Sequence, residues 1–337
     1  MSKSLYIPEG YASALTLRET QHAIKYIKDL FQQTLSFALT LDRVTAPLIV
    51  EKGSGINDDL NGVERKVEFT IKEIGGKEAE IVQSLAKWKR MALYRYGYKP
   101  GEGIYTDMNA IRRDDDTDNI HSIFVDQWDW EKVLTREQRN EEFLKETVKS
   151  IVKAIVYTKR KVSLRYPVLD KPMNDHVVFV TTQELEDRYP DKTPKERENL
   201  ICREHGTVFI QQIGGKLASG QRHDGRAPDY DDWALNGDLF FWNETLQRGF
   251  EVSSMGIRVD EKSLASQLAE LGAEDRMQYR FHQMIADGTL PLTIGGGIGQ
   301  SRLCMLLLEK AHIGEVQVSI WPQEMLEQCT EAGITLL

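Results

Sequence analysis

The chain has 337 residues, of which 41% are hydrophobic and 28% are charged, and its formal net charge at pH 7 is -9. This acidic balance argues against a broad surface for nucleic acid or anionic lipid, although it leaves room for a local basic groove. No stretch approaches the roughly 18 consecutive apolar residues of a membrane-spanning helix. We therefore expect a protein that binds neither nucleic acid nor a membrane.

The cysteines and the N-terminus indicate the cellular location of the protein, and the length and composition indicate its number of domains. Cys202, Cys304 and Cys329 have no CxxC spacing, which argues against a disulfide framework or a zinc site. The N-terminus lacks the apolar core of a signal peptide, so a reducing cytoplasm is the expected location. Because the sequence contains no repeat, linker or low-complexity segment, we expect a single domain over residues 1–337.

The first elements are a helix and a strand that contains a proline. Thr16 followed by Glu19 has the pattern of a capping box, and the apolar stripe behind it predicts an amphipathic helix. Segment 43–50 is rich in β-forming residues but includes a proline, which places it at a sheet edge or an interface. A polar turn is expected over 53–62, and alternation over 67–71 predicts a half-exposed strand.

A cluster of cations lies at 84–90, where the sequence SLAKWKR predicts a helix. Three cations occupy four successive positions together with a tryptophan. Two interpretations stay open, namely a solvated basic face or a binding site for an anionic substrate.

Two strands surround an acidic loop in the next part of the chain. The strands are predicted over 104–112 and 121–131, and the loop between them carries four aspartates. Because side chains alternate across a strand, Gln127 and Asp129 continue an apolar row on one face. Inward polar residues of this kind line ligand cavities, and a solvent-exposed strand end is the alternative.

A charged loop and two further strands follow. Segment 213–233 contains no GxxxxGK[ST] pattern, so it is not a P-loop, and its glycines and alternating charges predict an active-site or dimer-contact loop. Strands are predicted over 237–242 and 250–254, with Asp238 and Glu251 on opposite arms. Two such carboxylates can share a Mg²⁺ ion that also holds nucleotide phosphates, and ordinary charged strand ends are the alternative.

The stretch that organises the whole chain is 295–309, GGGIGQSRLCMLLLE. Its glycines predict a loop whose bare backbone can approach a ligand, and the apolar run 303–308 predicts a buried helix. Arg302 stands between them, and its planar guanidinium can stack on an aromatic ring or grip phosphate oxygens. This arrangement suits a nucleotide, with a glycine hinge and a surface arginine as the alternative.

The remaining elements are predicted from periodicity and from helix caps. Helices are expected over 135–160, 193–206, 261–271 and 274–287, and strands over 177–180, 207–210 and 316–321.

The order of these elements resembles the catalytic core of class II aminoacyl-tRNA synthetases. An arginine ends one strand, a flexible loop and a returning strand with inward polar residues follow, and later a glycine-rich strand feeds a helix headed by arginine. Longer blocks are similar to the ammonia-dependent asparagine synthetase family, the aspartate–ammonia ligases, which have this core without an anticodon-binding domain. The blocks are SLAKWKR at 84–90, VDQWDWE at 125–131, IGGKL at 213–217, RAPDYDDW at 226–233, EVSSMGIRVD at 251–260 and IGGGIGQSRLCMLLL at 294–308.

The resemblance implies a fold and a reaction. The fold is α+β, with an antiparallel sheet flanked by helices, and the chains pair as a homodimer through residues 17–50. The reaction is the ATP-dependent amidation of L-aspartate with ammonia, which gives L-asparagine, AMP and pyrophosphate through a β-aspartyl adenylate. ATP is then a substrate and Mg²⁺ a cofactor.

The resemblance also implies roles for particular residues. Arg112 binds the α-phosphate of ATP, Arg302 stacks on the adenine, and Asp238 and Glu251 bind the nucleotide through Mg²⁺. The residues expected to bind aspartate are Gln127 and Asp129 at its ammonium group, Ser84 and Lys89 at its carboxylates, and Ser254. We class Asp58, Arg112, Gln127 and Arg302 as catalytic.

The nitrogen donor follows from what the chain lacks. Transfer from glutamine requires a nucleophile, usually a cysteine, and none of the three cysteines has an evident Cys–His–carboxylate arrangement. Ammonia is therefore the expected donor, and Asp58 is the carboxylate that would attract ammonium and accept its proton.

Two departures from the family pattern are visible. Val252 stands where leucine is usual, and the segment after Trp233 lacks an insertion that some members carry, which shortens a surface loop. Two other classes of protein stay open as alternatives: an aminoacyl-tRNA synthetase or its fragment, and an inactive relative that acts as a binding module.

Overall fold

The computed structural model describes residues 5–58, 60 and 64–337. The helices of these residues are α1 (Leu17–Leu39), α2 (Ala86–Tyr96), α3 (Glu141–Arg165), α4 (Thr182–Arg188), α5 (Pro194–His205), α6 (Glu261–Leu271), α7 (Arg280–Ala286), α8 (Gln300–Leu307) and α9 (Gln323–Glu331). The strands are β1 (Leu41–Arg43), β2 (Ile49–Glu51), β3 (Glu68–Ile71), β4 (Lys77–Ile81), β5 (Gly103–Ile111), β6 (Phe124–Val133), β7 (Val178–Thr181), β8 (Thr207–Gln211), β9 (Asp231–Asn243), β10 (Arg248–Arg258) and β11 (Thr293–Gly299).

Eight strands form one sheet in the order β1-β5-β6-β11-β10-β9-β8-β7, and a small sheet has the order β2-β4-β3. The central pairs of the large sheet are antiparallel, while β1 with β5 and β7 with β8 are parallel. This architecture confirms the expected α+β fold with a mainly antiparallel sheet. The proline-containing segment 43–50 connects two edge strands, as its composition predicts.

The glycines of 295–299 form a strand, as in the resemblance to the class II core, whereas their composition alone predicts a loop. β11 pairs with β6 on one side and with β10 on the other. A Cβ atom on Gly297 would overlap the side-chain amide of Gln127, and one on Gly295 would overlap the carboxylate of Glu131. The glycines are therefore required because polar side chains of β6 lie across the bare backbone of β11.

Helices α1 and α3 contribute to the main core, which buries one face of the large sheet. Trp128 and Trp130 of β6 are fully buried in this core, and the rings of Phe31 and Trp128 have centroids 4.8 Å apart. Gln127 and Asp129 lie on the opposite face of β6, because side chains alternate along a strand.

Most predicted helices and strands are present, but two of the predicted helices differ from those of the structure. The Thr135 N–H donates to Oε1 of Gln138 (2.9 Å), as in a capping box, yet these residues form a separate turn. Helix α3 begins later, behind Asn140, whose side chain caps it. Segment 274–287 divides into a 3₁₀ turn and α7.

The strand predicted over 316–321 is not formed in the structure. The Gln317 side chain turns inward and donates hydrogen bonds to buried groups. Val318 and Ile320 are 71% and 77% exposed, so these apolar side chains have no sheet to pack against. Across the described part of the chain, no helix has the length and apolar character needed to cross a membrane.

Candidate active site

A cleft of about 770 Å³ opens at the ends of the central strands. Its wall is built from the acidic loop and β6, the segment 224–230, strands β9 and β10, and the junction of β11 with α8. The predicted site residues that line it are Arg112, Gln127, Asp238, Glu251, Ser254 and Arg302. Four others, Asp58, Ser84, Lys89 and Asp129, are not part of its lining.

Arg112 stands at the end of β5, where the ladder with β6 holds its backbone. Its N–H donates to the Ile123 carbonyl (2.9 Å). Its Nε is buried and donates no hydrogen bond to any residue that the structure describes. Asp115 lies nearby, and burial raises the pKa of its carboxyl while Arg112 acts in the opposite direction. A buried guanidinium donor with no acceptor marks a place for an anionic ligand.

Arg302 lies in the first turn of α8 and points toward β10. Its Nη1 donates to the Glu251 carbonyl (3.2 Å) and lies 3.5 Å from Oε2 of the same residue. The side chain remains 21% exposed in the cleft. One edge of the guanidinium is thus held by β10, which leaves its flat face free to stack on a ring.

Asp238 and Glu251 bring two carboxylates to neighbouring strands of the cleft. Burial raises the pKa of Asp238 to about 6, with Arg226 lowering it and the charge of Glu251 raising it further. At Glu251 burial favours the neutral carboxyl, but nearby cations, chiefly Arg302, outweigh it and lower the pKa. The mutual repulsion of the two carboxylates is the electrostatic setting that a cation would relieve.

Arg226 is a cleft residue to which the sequence assigned no individual role. Its Nη2 donates to Oδ1 of Asp238 (2.6 Å), and its Nη1 donates to Oγ of Ser254. The signal was the 213–233 loop, for which an active-site or a dimer contact was predicted. The structure places residues 224–227 and Tyr230 of this loop in the cleft.

The predicted cation cluster of α2 lies below the cleft, and it is not a solvated face. Lys87, Lys89 and Arg90 are 3%, 1% and 2% exposed. The Lys89 ammonium donates to Oδ1 of Asp129, to the Trp130 carbonyl (2.9 Å) and to the Gly296 carbonyl (3.3 Å). Lys89 is thus no free cation, contrary to the sequence expectation, because its three donors already have acceptors.

Ser84 and Asp58 occupy the segments that flank this cluster. Ser84 is half-buried, and its Oγ accepts a hydrogen bond from the Ala86 N–H (3.2 Å) at the start of α2. Asp58 is 2% exposed and follows Asn57, whose side chain ties the loop to Glu80 (3.0 Å). Burial raises the pKa of the cleft residue Tyr230, and the charge of Asp58 raises it further, so Asp58 lies near this residue although it does not line the cleft.

Two buried charge networks support the cleft from beneath. Arg258 pairs with Glu131 (2.7 Å) and with Asp231, and the Thr293 hydroxyl also donates to Glu131 (2.7 Å). In the second network, Asp229 is fully buried among two cationic side chains and one imidazole. These are Lys87 (2.8 Å), Arg276 (2.8 Å) and His282 (2.9 Å). Burial opposes its ionisation, but these neighbours lower the pKa of Asp229 far below its ordinary value.

Comparisons with known proteins identify the family of the chain. The family model of aspartate–ammonia ligase matches residues 18–333. The chain belongs to the aspartate–ammonia ligase family. Relatives of this name come from Clostridium perfringens (58% identical over 335 residues, 99% of this chain and 100% of the relative) and from Lactobacillus acidophilus (59% over 334 residues, 99% of each). The resemblance to this family and the expectation of a ligase are thereby confirmed.

Solved structures of synthetases share the fold. Asparaginyl-tRNA synthetase from Entamoeba histolytica, in complex with asparaginyl-adenylate, has a TM-score of 0.65 at 12% identity, covering 89% of this chain and 66% of that one. The enzyme from Pyrococcus horikoshii, complexed with asparaginyl-adenylate, has a TM-score of 0.59 at 15% identity, covering 94% of this chain and 76% of that one. The predicted class II synthetase fold is thereby confirmed.

Proposed function

We propose that the protein joins ammonia to the side-chain carboxylate of L-aspartate with consumption of ATP, giving L-asparagine, AMP and pyrophosphate. The observation that carries this proposal is a single cleft in which unpaired arginine donors and paired carboxylates face Gln127 and Ser254. Such a cleft can bring a nucleoside triphosphate and an amino acid into contact. Membership of the ligase family supports the same reaction.

The chemistry requires an activated carboxylate, because a carboxylate oxygen is too poor a leaving group for direct amination. In the first step a side-chain oxygen of aspartate attacks the α-phosphorus of ATP and pyrophosphate leaves, which gives the β-aspartyl adenylate. In the second step ammonia attacks the acyl carbon, loses a proton and expels AMP with that oxygen. Both steps depend on positioning and on charge stabilisation by the protein.

The nucleotide contacts are assigned to two arginines of the cleft. Arg112 would donate its unpaired Nε to the α-phosphate, where a charge-assisted hydrogen bond is strong. Arg302 would lay its guanidinium face on the adenine while Glu251 holds its edge. Arg112 therefore serves the reacting phosphorus, and Arg302 fixes the base.

Magnesium suits the pair Asp238 and Glu251. Mg²⁺ in such sites takes one or two carboxylates together with substrate phosphates, and both carboxylates line the cleft. Burial raises the pKa of Asp238 and repulsion by Glu251 raises it further, and the ion would relieve that repulsion. When bound, the ion would neutralise charge on the phosphates.

The aspartate contacts are assigned to one face of β6 and to β10. Gln127 and the second carboxylate oxygen of Asp129 would bind the ammonium group, while Lys89 holds the first oxygen of Asp129. Ser254 would add a hydrogen bond. Direct contact of Lys89 or Ser84 with a substrate carboxylate stays a prediction, and for Lys89 it requires an exchange of partners.

Ammonia is proposed as the nitrogen donor, with Asp58 attracting ammonium and accepting its proton. The three cysteines are buried, and burial raises the pKa of the Cys304 thiol to about 12. Because the thiolate is the nucleophile, buried thiols of this kind are poorly suited to form a thioester from glutamine. Asp58→Ala should leave adenylate formation largely intact and suppress asparagine release.

We also propose a cytoplasmic homodimer that pairs through α1 and the segment up to β2. Large apolar side chains are exposed there, with Phe37 at 91%, Leu48 at 52% and Ile49 at 41%. Exposed apolar residues grouped on one segment are typical of interaction sites. A monomer in sedimentation at micromolar concentration would contradict this assignment.

The experiment that tests the function compares nitrogen donors. Purified protein is given ATP, Mg²⁺ and aspartate with ammonium chloride or with ammonia-free glutamine, and asparagine and pyrophosphate are measured. We expect asparagine from ammonium alone. Equal asparagine yield from glutamine would refute ammonia as the nitrogen donor. Charging of tRNA by the same protein, in a separate assay, would favour a synthetase. Absence of aspartate-dependent pyrophosphate release would favour an inactive relative.

A further inference from the structure

Arg226 connects the two halves of the proposed reaction site. It belongs to the loop between β8 and β9, and its side chain is only 9% exposed at the cleft wall. One terminal nitrogen binds Asp238, which is assigned to the nucleotide and its metal ion. The other binds Ser254, which is assigned to aspartate. The guanidinium therefore lies where the two substrates must meet.

The third guanidinium nitrogen of Arg226, Nε, has no hydrogen-bond acceptor among the described residues. This nitrogen is also buried. The carboxylate of Asp231 lies 3.7 Å away, beyond hydrogen-bond distance, and Arg258 already binds that residue. Buried charged donors are normally satisfied, so an unpaired one on a residue that lines the cleft points to an anionic ligand.

The loop holds Arg226 in place independently of its carboxylate partners. Asp229, three residues later, is anchored by Lys87, Arg276 and His282. The Trp233 N–H donates to Oε1 of Gln267 (2.9 Å) in α6. The backbone that carries Arg226 is thus tied to the surrounding helices, which suits a preorganised charge.

We propose that Arg226 is a further catalytic residue, whose guanidinium binds the anion formed where the aspartate carboxylate meets the α-phosphate of ATP. The inference rests on the proposed function. As the carboxylate oxygen bonds to the α-phosphorus and the bond to pyrophosphate breaks, negative charge stays on the α-phosphate oxygens. Nε of Arg226 donates to one of them, while Nη2 keeps its hydrogen bond to Asp238.

The test separates phosphate recognition from general damage to the cleft. Binding of AMP and of adenosine, without aspartate, ammonia or metal, is measured by calorimetry for the wild type, Arg226→Gln and Arg226→Lys. Arg222→Gln is the matched control, because Arg222 lies in the same loop but pairs with Glu270 outside the cleft. Aspartate-dependent exchange of pyrophosphate into ATP is measured for the same proteins.

We expect Arg226→Gln to weaken AMP binding about tenfold, as loss of a charged hydrogen bond does, and to leave adenosine binding unchanged. Its exchange rate should fall by about 10²–10³, as for loss of a transition-state donor. Arg226→Lys should recover part of the AMP affinity, and Arg222→Gln should match the wild type in every assay.

Unchanged AMP affinity in Arg226→Gln would overturn the inference, and so would an equal loss for AMP and adenosine. If Arg226→Gln does not fold, Arg226→Lys decides: AMP affinity equal to the wild type with an unchanged exchange rate overturns the inference, and a loss confined to AMP and to exchange supports it. Failure of the proposed function is distinguishable, because the wild type would then show no aspartate-dependent exchange while the nucleotide measurements stand.

Discussion

Arg258 and Arg226 are both buried arginines that pair with carboxylates, but of the two only Arg226 has a nitrogen without a hydrogen-bond partner among the described residues. Arg258 binds Glu131 through Nε (3.0 Å) and Nη2 (2.7 Å) and Asp231 through Nη1, so each of its nitrogens has a partner. Arg226 and Arg112 each keep an unpaired Nε at the cleft. The closed network of Arg258 therefore holds the sheet together, whereas an unpaired arginine nitrogen on a cleft residue is a candidate contact for a ligand.

The largest expected effect comes from opening the closed network. Arg258→Met should lower the free energy of unfolding by about 3–5 kcal/mol, because it leaves Glu131 buried and without its main partner. Urea unfolding of the purified variant measures this loss. Arg188→Ala, which breaks an exposed pair with Glu204, is the control and should change the same quantity by less than about 1 kcal/mol. Equal losses in the two variants would contradict the comparison.

Removal of an open arginine should affect activity instead of stability. Arg112→Ala should reduce aspartate-dependent pyrophosphate exchange by about 10²–10³, since it removes a donor to the reacting phosphate. The free energy of unfolding should change by no more than about 0.5 kcal/mol, because the described residues offer its Nε no hydrogen bond to lose. A variant that unfolds in much less urea, with normal exchange when folded, would reverse the assignment of Arg112.

Asp129 is intermediate between a residue of a closed charge network and a residue with an unpaired atom, since Lys89 binds one of its two carboxylate oxygens. Asp129→Asn should raise the KM for aspartate about tenfold or more, because a charged hydrogen bond to the substrate ammonium is weakened. The KM for ATP serves as the internal control and should change by less than about twofold. A shift in ATP dependence without a shift in aspartate dependence would remove Asp129 from the amino-acid site.

His312 sharpens the comparison, because it is a buried group with an unpaired atom that lies outside the cleft. Its Nε2 has no hydrogen bond among the described residues, and its ring packs against Trp321 at 4.8 Å. Burial lowers its pKa from 6.5 to about 4, although Asp118 acts in the opposite direction. The unpaired atom here reflects an apolar pocket that excludes the charged imidazolium.

The pH dependence of stability follows from this shift. The unfolded chain binds a proton at His312 below pH 6.5 while the folded one does not, so stability falls as pH falls toward about 4. Between pH 6.5 and pH 5.5 the loss should be about 1 kcal/mol. His312→Gln should lack this component, and a variant with the same pH profile as the wild type would show that His312 does not contribute.

Sequence reasoning was strongest where a local pattern decides the structure. The capping boxes at Thr16 and Thr193 and the bounds of α6 follow from nearby residues alone. The strand predicted from the apolar alternation of 316–321 was wrong, because tertiary contacts of Gln317 outweighed the local β preference. Composition alone predicted a loop for the glycine strand, and only the resemblance gave a strand, since the neighbouring strand is needed to show that Gln127 and Glu131 require the space.

The site was predictable in its residues more than in its pairings. Arg112, Asp238, Glu251 and Arg302 meet in one cleft, as the resemblance implied. The partner of Lys89 and the position of Arg226 depend on which buried charges face each other across the fold. The sequence does not show that geometry. A lysine that binds a substrate carboxylate therefore cannot be distinguished, from the sequence, from a lysine in an internal ion pair.

The central claim is that aspartate is activated as an adenylate, and an isotope measurement tests it most directly. The enzyme is supplied with ATP, Mg²⁺, ammonium and aspartate whose side-chain carboxylate carries ¹⁸O, and the products are analysed by mass spectrometry. The account predicts that AMP gains one ¹⁸O atom and that pyrophosphate gains none. Asparagine formation with ¹⁸O-free AMP would contradict it.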